Sequence, residues 1–228
     1  MKKIAVYTGN DKVYQDMFVS AKSLLINSDV DKIYFLIEHD KFPEDLPKEI
    51  ETINVKDQTY FSWDGPNMST PYSYMALMRA ALPFVFPDLD IILSLDVDVI
   101  VDKDISDIWD IDISNYYFAA AHEWHRSHDG YLYTNAGVTL FNLKKLREEG
   151  KSKEVIDVLN TCYFRWVDQD VLNYLCQGRI YDLPSSYNTN HWTEKTRDRR
   201  VIHYAGIKNY QKDPFYIKYK NIPLEKVR

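Results

Sequence analysis

"DIILSLDVDVIV" (residues 90–101) is an apolar run of buried-strand character that carries two carboxylates, Asp96 and Asp98, which such a strand has no ordinary reason to hold. It continues as "DKDISDIWDID" (102–112), so seven aspartates fall between Asp96 and Asp112. Residues two apart in an extended strand share a face. Asp96 and Asp98 then project together, with Val97 and Val99 turned the other way. Two like charges that close repel, and burial raises the cost; a divalent cation removes it. The carboxyl end of a strand is also where open α/β sheets bind ligands. A calcium loop beginning at Asp96 needs glycine at its sixth position, where Val101 stands. Phosphatases with an aspartate nucleophile carry such a pair near the N-terminus and a second acidic cluster downstream. Here the pair begins at residue 96 and no such cluster follows. The plain alternative is a solvated strand end, since a three-residue motif is weak alone. Asp102, Asp104, Asp107, Asp110 and Asp112 read as turn and surface residues.

Working outward, "KIAVYTG", "KIYFLIE" and "ETINV" read as strands before the pair, and "QDMFVSAKSLLIN" has apolar residues at helical spacing. "SYMALMRAALPFVF" reads as a helix with Pro83 marking a break or a restart. After the pair, "YYFAAAHEW", "AGVTLFNL", "RIYDL" and "RVIHYAG" are strand-like. "LKKLREEG", "KSKEVIDVLNTCYF" and "DQDVLNYLCQG" are helical, the last ended by Gly178. Strands and helices alternate throughout, which predicts an α/β fold with a largely parallel sheet. With no repeat or linker in 228 residues, one domain over 1–228 is the simplest organisation.

The formal charge of −6 leaves no basic field for a phosphate backbone, which disfavours nucleic acid as a partner. "EKTRDRR" (194–200) reads as a solvated basic loop. The two cysteines, Cys162 and Cys176, have no disulfide or metal spacing and read as reduced and buried. The N-terminal apolar run is too short for a signal peptide. No stretch approaches the roughly 18 apolar residues of a membrane span, and the expected location is the cytoplasm. "KNYQKDPFYIKYK" near the C-terminus offers at most weak peripheral contact with a membrane surface.

Four segments in order, "LSLDVDVIV", "YTNAGVTLFNL" (133–143), "VDQDVLN" (167–173) and "VIHYAGIK" (201–208), resemble glycosyltransferase family 8, and the resemblance runs from "IAVYTGND" to "HYAG". It implies a GT-A fold, a Rossmann-like mixed, mostly parallel sheet flanked by helices. Residues 1–102 would form mainly the nucleotide half and 103–228 mainly the sugar and acceptor half. The implied donor is a UDP-sugar, the implied metal Mn²⁺ with Mg²⁺ as the alternative, and the implied acceptor a carbohydrate or glycoconjugate hydroxyl. By the same resemblance Asp96, Asp98 and His203 hold the metal. Thr8, Asn10, Asp11, Tyr14, Arg79, Asp96, Val97, Asn135, Ala136, Gly206 and Lys208 contact the donor, Tyr14 standing beside the position of the family's base-stacking tyrosine. Asp168 and Gln169 lie beside the anomeric carbon, although Asp168 also suits a helix N-cap. Glu123 falls near an acidic sugar contact, and "LPSSYN" (183–188) is expected on the acceptor side. A nucleotide-sugar-binding protein without catalysis is the alternative from another class.

Overall fold

In this computed structural model, which describes residues 2–68, 70 and 72–227, strands and helices alternate only in part: four strands follow one another between residues 91 and 142, and three helices between 143 and 175. In order the elements are β1 (Ile4–Thr8), α1 (Tyr14–Asn27), β2 (Lys32–Ile37), β3 (Ile50–Asn54), α2 (Tyr74–Val85), β4 (Ile91–Leu95) and β5 (Val99–Val101). There follow β6 (Phe118–His122), β7 (Thr134–Asn142), α3 (Leu143–Glu148), α4 (Lys151–Thr161), α5 (Val167–Leu175), β8 (Ile180–Asp182), β9 (Val201–His203) and α6 (Pro214–Lys220). Seven strands form one sheet in the order β3-β2-β1-β4-β7-β6-β8, and β5 pairs with β9 in a second, two-stranded sheet. Only the pairings of β7 with β4 and β6 are antiparallel in the large sheet. The others are parallel, so the sheet is mixed and mostly parallel, as in a GT-A Rossmann-like fold.

The apolar pattern explains the layering. Along β1 the buried side chains alternate between two cores. Ile4 and Val6 join the one built on Leu77, Met78 and Leu82 of α2, Val155 of α4 and Leu172 of α5. Ala5 and Tyr7 join the one built on Met17, Leu24 and Leu25 of α1 and on Ile105, Ile108 and Trp109. A strand covered on both faces is apolar at every position, which is why "IAVY" carries no polar residue.

Two sequence readings are corrected here. Pro83 does not break its helix; it lies inside α2, near the end, where only one intrahelical bond is forgone. Phe86 N–H still bonds Leu82 O at 2.9 Å. The Arg147 guanidinium donates to the carbonyls of Pro83 (3.4 Å), Phe86 (3.2 Å) and Leu89 (2.8 Å), closing the helix terminus. Of the two cysteines only Cys176 is buried; Cys162, just past the end of α4, is exposed. Burial pushes the Cys176 thiol up to about 12.

Candidate functional site

The run "DIILSLDVDVIV" is not one strand. β4 stops at Leu95, Asp96 N–H makes a last bond to Gly137 O of β7 (2.9 Å), and the chain turns at Val97 and Asp98. It leaves the large sheet as β5, which crosses α1: Ser23 Oγ accepts from Val101 N–H (2.9 Å) and Asn27 Nδ2 donates to Val101 O (2.8 Å). The two aspartates therefore converge through a bend between sheets rather than through a shared strand face. β9 completes the group, because its register sets His203 opposite Val99. One ligand atom from each of Asp96, Asp98 and His203 lies within 4.8 Å of the others. His203 Nε2 is 3.3 Å from Asp98 Oδ1 and 3.6 Å from Asp96 Oδ2.

His203 is only 4% exposed. Burial pulls its pKa down, but Asp98 and Asp96 more than reverse that and leave it above the ordinary value. Asp98 shows the converse: burial pushes its carboxyl up, and His203 holds it below the usual range. The two carboxylates thus favour positive charge beside them, which a divalent cation would supply better. Two hard oxygens and one borderline nitrogen, with part of the carboxylates open to further ligands, fit Mn²⁺ and, less well, Mg²⁺. Gly137 makes this packing possible, since a Cβ there would fall 2.1 Å from His203 Cε1.

Arg79 sits behind the cluster. It projects from α2, is 7% exposed, and spans two carboxylates: Nη2 bonds Asp96 Oδ1 at 2.6 Å and Nε lies 3.1 Å from Asp168 Oδ2. Nη1 donates to Ala136 O. The sequence leaves a surface helix arginine open; the structure places this one at the centre of the site. Asp168 is 3% exposed, and Oδ2 accepts no hydrogen bond among the described residues despite its nearness to Arg79. Burial raises its pKa to about 6 against the opposing pull of Arg79. The preceding residue, Val167, has φ +35°, a conformation a β-branched side chain rarely adopts, at the first residue of α5. Gln169 fixes the next wall: its Oε1 accepts from Ala136 N–H (2.9 Å), and Nε2 donates to Glu123 Oε1 (3.2 Å) and Tyr133 Oη (3.1 Å). Asn135 also donates to Glu123 Oε1, at 2.9 Å.

The other sequence candidates are distributed around this centre. The β1–β4 register aligns Tyr7 with Leu95, so Thr8 ends its strand level with Asp96. Asn10 accepts from Lys12 N–H, Asp11 is exposed, and Val97 forms the turn between the two aspartates. Tyr14 is 5% exposed; its ring packs against Phe42 and His39 and its oxygen accepts from Glu38 N–H (3.1 Å). Gly206 turns the chain after β9 with φ +70°, which glycine adopts freely. Lys208 beyond it is exposed and makes no hydrogen bond or ion pair among the described residues. Two residues near the site lacked a sequence assignment to it. Tyr72 feels Asp96, Asp168 and Asp98, and its phenol is raised by burial and then by those charges; nothing in "STPYSY" marks it. Asn188, fully buried, accepts from His203 Nδ1 at 2.9 Å. Its motif "LPSSYN" is visible, but the expected place was the acceptor side rather than the metal cluster.

Known structures share this fold. The structure of the glycosyltransferase GlyE from Streptococcus pneumoniae TIGR4 superposes with a TM-score of 0.74 at 21% identity, over 100% of this chain and 62% of that one. The galactosyltransferase LgtC, solved with donor and acceptor sugar analogs, gives a TM-score of 0.68 at 20% identity, over 97% of this chain and 98% of the other. The lipopolysaccharide 1,2-glucosyltransferase of Escherichia coli (strain K12) is 31% identical over 112 residues, 41% of this chain and 33% of that protein. A putative glycosyltransferase of Haemophilus influenzae is 36% identical over 62 residues, and the match spans 19% of its length. The aligned regions thus cover a third or less of these two curated relatives. Residues 5–210, nearly the whole chain, match the profile of glycosyl transferase family 8, and by that match the chain belongs to the family.

Proposed function

We propose that this chain is a retaining glycosyltransferase that moves a hexose from a UDP-sugar to an acceptor hydroxyl of a glycan or glycoconjugate, with Mn²⁺. The observation that carries this is the Asp96–Asp98–His203 cluster at the carboxyl ends of β1 and β4, backed by Arg79. Asp96, Asp98 and His203 would hold the cation, which supplies Lewis-acid stabilisation of the departing diphosphate. Thr8, Asn10 and Asp11 would line the nucleoside side, and Lys208, unpaired on a loop whose Gly206 allows close approach, would meet the diphosphate. Residues 1–102 then serve mainly the nucleotide and 103–228 mainly the sugars, within one domain.

The chain's own residues divide the remaining work. Arg79 holds Asp96 in place and balances the charge on Asp168. Asn135, Gln169 and Glu123 form one hydrogen-bonded wall, suited to sugar hydroxyls. Beside Glu123, Trp124 and Trp192 are exposed and linked by Trp124 N–H to Trp192 O (3.0 Å), with the His125 ring 4.7 Å from Trp192. Flat aromatic surface next to the sugar wall fits a carbohydrate acceptor. Asp168 is buried against Arg79 and Gln169 has no carboxylate, so neither suits a covalent nucleophile. This favours a front-face reaction, in which a leaving diphosphate oxygen accepts the proton of the attacking hydroxyl.

No helix among the described residues is long and apolar enough to cross a membrane. A nucleotide-sugar donor and two free thiols fit a cytoplasmic setting. The test is a panel of UDP-sugars assayed for Mn²⁺-dependent UDP release and for binding. At least one donor is expected to turn over, and Asp96→Ala, Asp98→Ala and His203→Ala each to lose metal-dependent donor binding. Normal UDP binding in all three variants overturns the site, and tight binding without turnover of any donor overturns catalysis. The binding side of the experiment thus separates an enzyme from a non-catalytic nucleotide-sugar-binding protein.

A further inference from the structure

We propose that Asn188 is a positioning residue: it holds the His203 ring with its proton on Nδ1, so that the lone pair of Nε2 faces Asp96 and Asp98 and is free for a divalent cation. The inference rests on the metal reading above and goes beyond it, because the polarity follows from a chain of hydrogen bonds whose first donor cannot reverse. Gly137 N–H is a backbone donor, and it bonds Asn135 Oδ1 at 3.1 Å. Asn135 must then turn its Nδ2 to Glu123, where a carboxylate oxygen accepts at 2.9 Å. Asn188 Nδ2 also donates to Asn135 Oδ1, at 2.9 Å, which leaves Asn188 Oδ1 as the atom facing His203. That oxygen has no hydrogen, so the 2.9 Å contact requires a proton on Nδ1.

Reversing the Asn188 amide would set its oxygen against Asn135 Oδ1. Reversing Asn135 as well would set an amino group against the Gly137 N–H and an oxygen against Glu123. Both rearrangements bury like atoms against each other. Asn188 is 0% exposed, Asn135 5% and His203 4%, so water cannot repair either one cheaply. Asn190 is the other polar group at the ring. Its Nδ2 lies 3.5 Å from Nδ1 and 3.1 Å from Asn188 Oδ1, while its own Oδ1 accepts from Trp192 N–H (2.7 Å) and Thr193 N–H (3.2 Å). It therefore donates to the same oxygen as the histidine and reinforces that oxygen as an acceptor. The Gly137 surface against the ring and the Asn188 acceptor together leave His203 one orientation. Partners of this kind behind a ligand histidine raise its basicity and hold its geometry, and losing one typically costs about 10–100-fold in metal affinity.

The test is Mn²⁺ binding alone, read from the electron paramagnetic resonance signal of free Mn²⁺, at pH 8.5 and as a function of pH. Asn188→Leu is expected to weaken Mn²⁺ binding about 10–100-fold, and to do so at pH 8.5 as well as below, because the deficit lies in the ring and not in proton competition. Asn188→Asp keeps an oxygen against Nδ1 but sets a second one against Asn135 Oδ1, so it is expected to lose less Mn²⁺ affinity than Asn188→Leu without returning to the parent value. Binding by Asn188→Leu as tight as that of the parent, or an equal loss in Asn188→Asp, overturns the assignment. Should the leucine variant fail to fold, the ring nitrogen NMR shifts of His203 in the metal-free parent at high pH carry the test: a protonated Nδ1 with a bare Nε2 supports the assignment, and the opposite tautomer overturns it. Asp96→Ala measured beside them separates the two ideas. If the parent binds no Mn²⁺, or Asp96→Ala binds it as well as the parent does, the metal site itself falls; if only the Asn188 variants behave as the parent, the site stands without the relay.

Discussion

The site turns on single atoms that are present or missing. Gly137 has no Cβ, and the His203 ring occupies the space one would fill, held there by its contacts with Asn188 and the two aspartates. Gly137→Ala is therefore expected to cost about 10–100-fold in Mn²⁺ affinity, in line with the loss of a ligand's support, while far-ultraviolet circular dichroism stays native; unchanged binding would refute the packing argument. His203 also sets the pH dependence. Its folded pKa is above the ordinary value of 6.5, so the ion pair contributes stability in full below 6.5 and loses it as pH rises through the folded pKa. Asp98, held low, contributes stability at neutral pH that is lost as pH falls through its own depressed pKa. Metal must displace the His203 proton. Mn²⁺ affinity is thus expected to fall about tenfold per pH unit below the folded pKa of His203 and to level off above it, measured by Mn²⁺ titration at several pH values. A flat profile from pH 5 to 9 would remove His203 from the ligand set.

At the scale of elements, what could be read from sequence was whatever had a local pattern. Strands β1, β2 and β4 announce themselves as apolar runs, and α1 by its spacing. The division of "DIILSLDVDVIV" into β4 and β5 had no such mark, because Val99, Ile100 and Val101 are as apolar as the strand before them. What divides the run is a partner more than a hundred residues away, β9, and a helix side chain, Ser23, that takes the Val101 N–H. The same blindness explains Pro83. Its neighbours suggest a break, whereas Arg147 reaches over from α3 to gather the carbonyls that the helix end leaves open. Arg147→Ala is accordingly expected to destabilise the fold by about 1–3 kcal/mol, since bonds to a charged donor are lost from carbonyls at a partly buried helix end. Urea denaturation should show a lower midpoint with an unchanged slope. A midpoint equal to that of the parent protein would mean that α2 closes without it.

Across the whole molecule, the candidate metal ligands come from both sheets: Asp96 from the end of β4, Asp98 from the entry to β5, and His203 from β9. Motif order in the sequence brought these three residues together before any geometry was known. Arg79 was named with the donor contacts, but its bond to Asp96 and the contact of Asn188 with His203 stayed hidden, since they cross 17 and 15 residues that no local pattern encodes. A cation bound by all three side chains ties the small sheet to the large one. Ligand bound only by the folded state adds stability as RT ln(1 + [L]/Kd), about 2.7 kcal/mol at one hundred times Kd. For a chain of this length that corresponds to roughly 5–10 °C in Tm. Saturating Mn²⁺ should therefore raise Tm by that amount in the parent protein and by little in Asp96→Ala. Hydrogen exchange should slow most at residues 98–101 and 201–204, where the two sheets meet, and least at β3 on the far edge. Equal slowing at β3 and β9 would mean that the cation stabilises the fold without joining its two sheets.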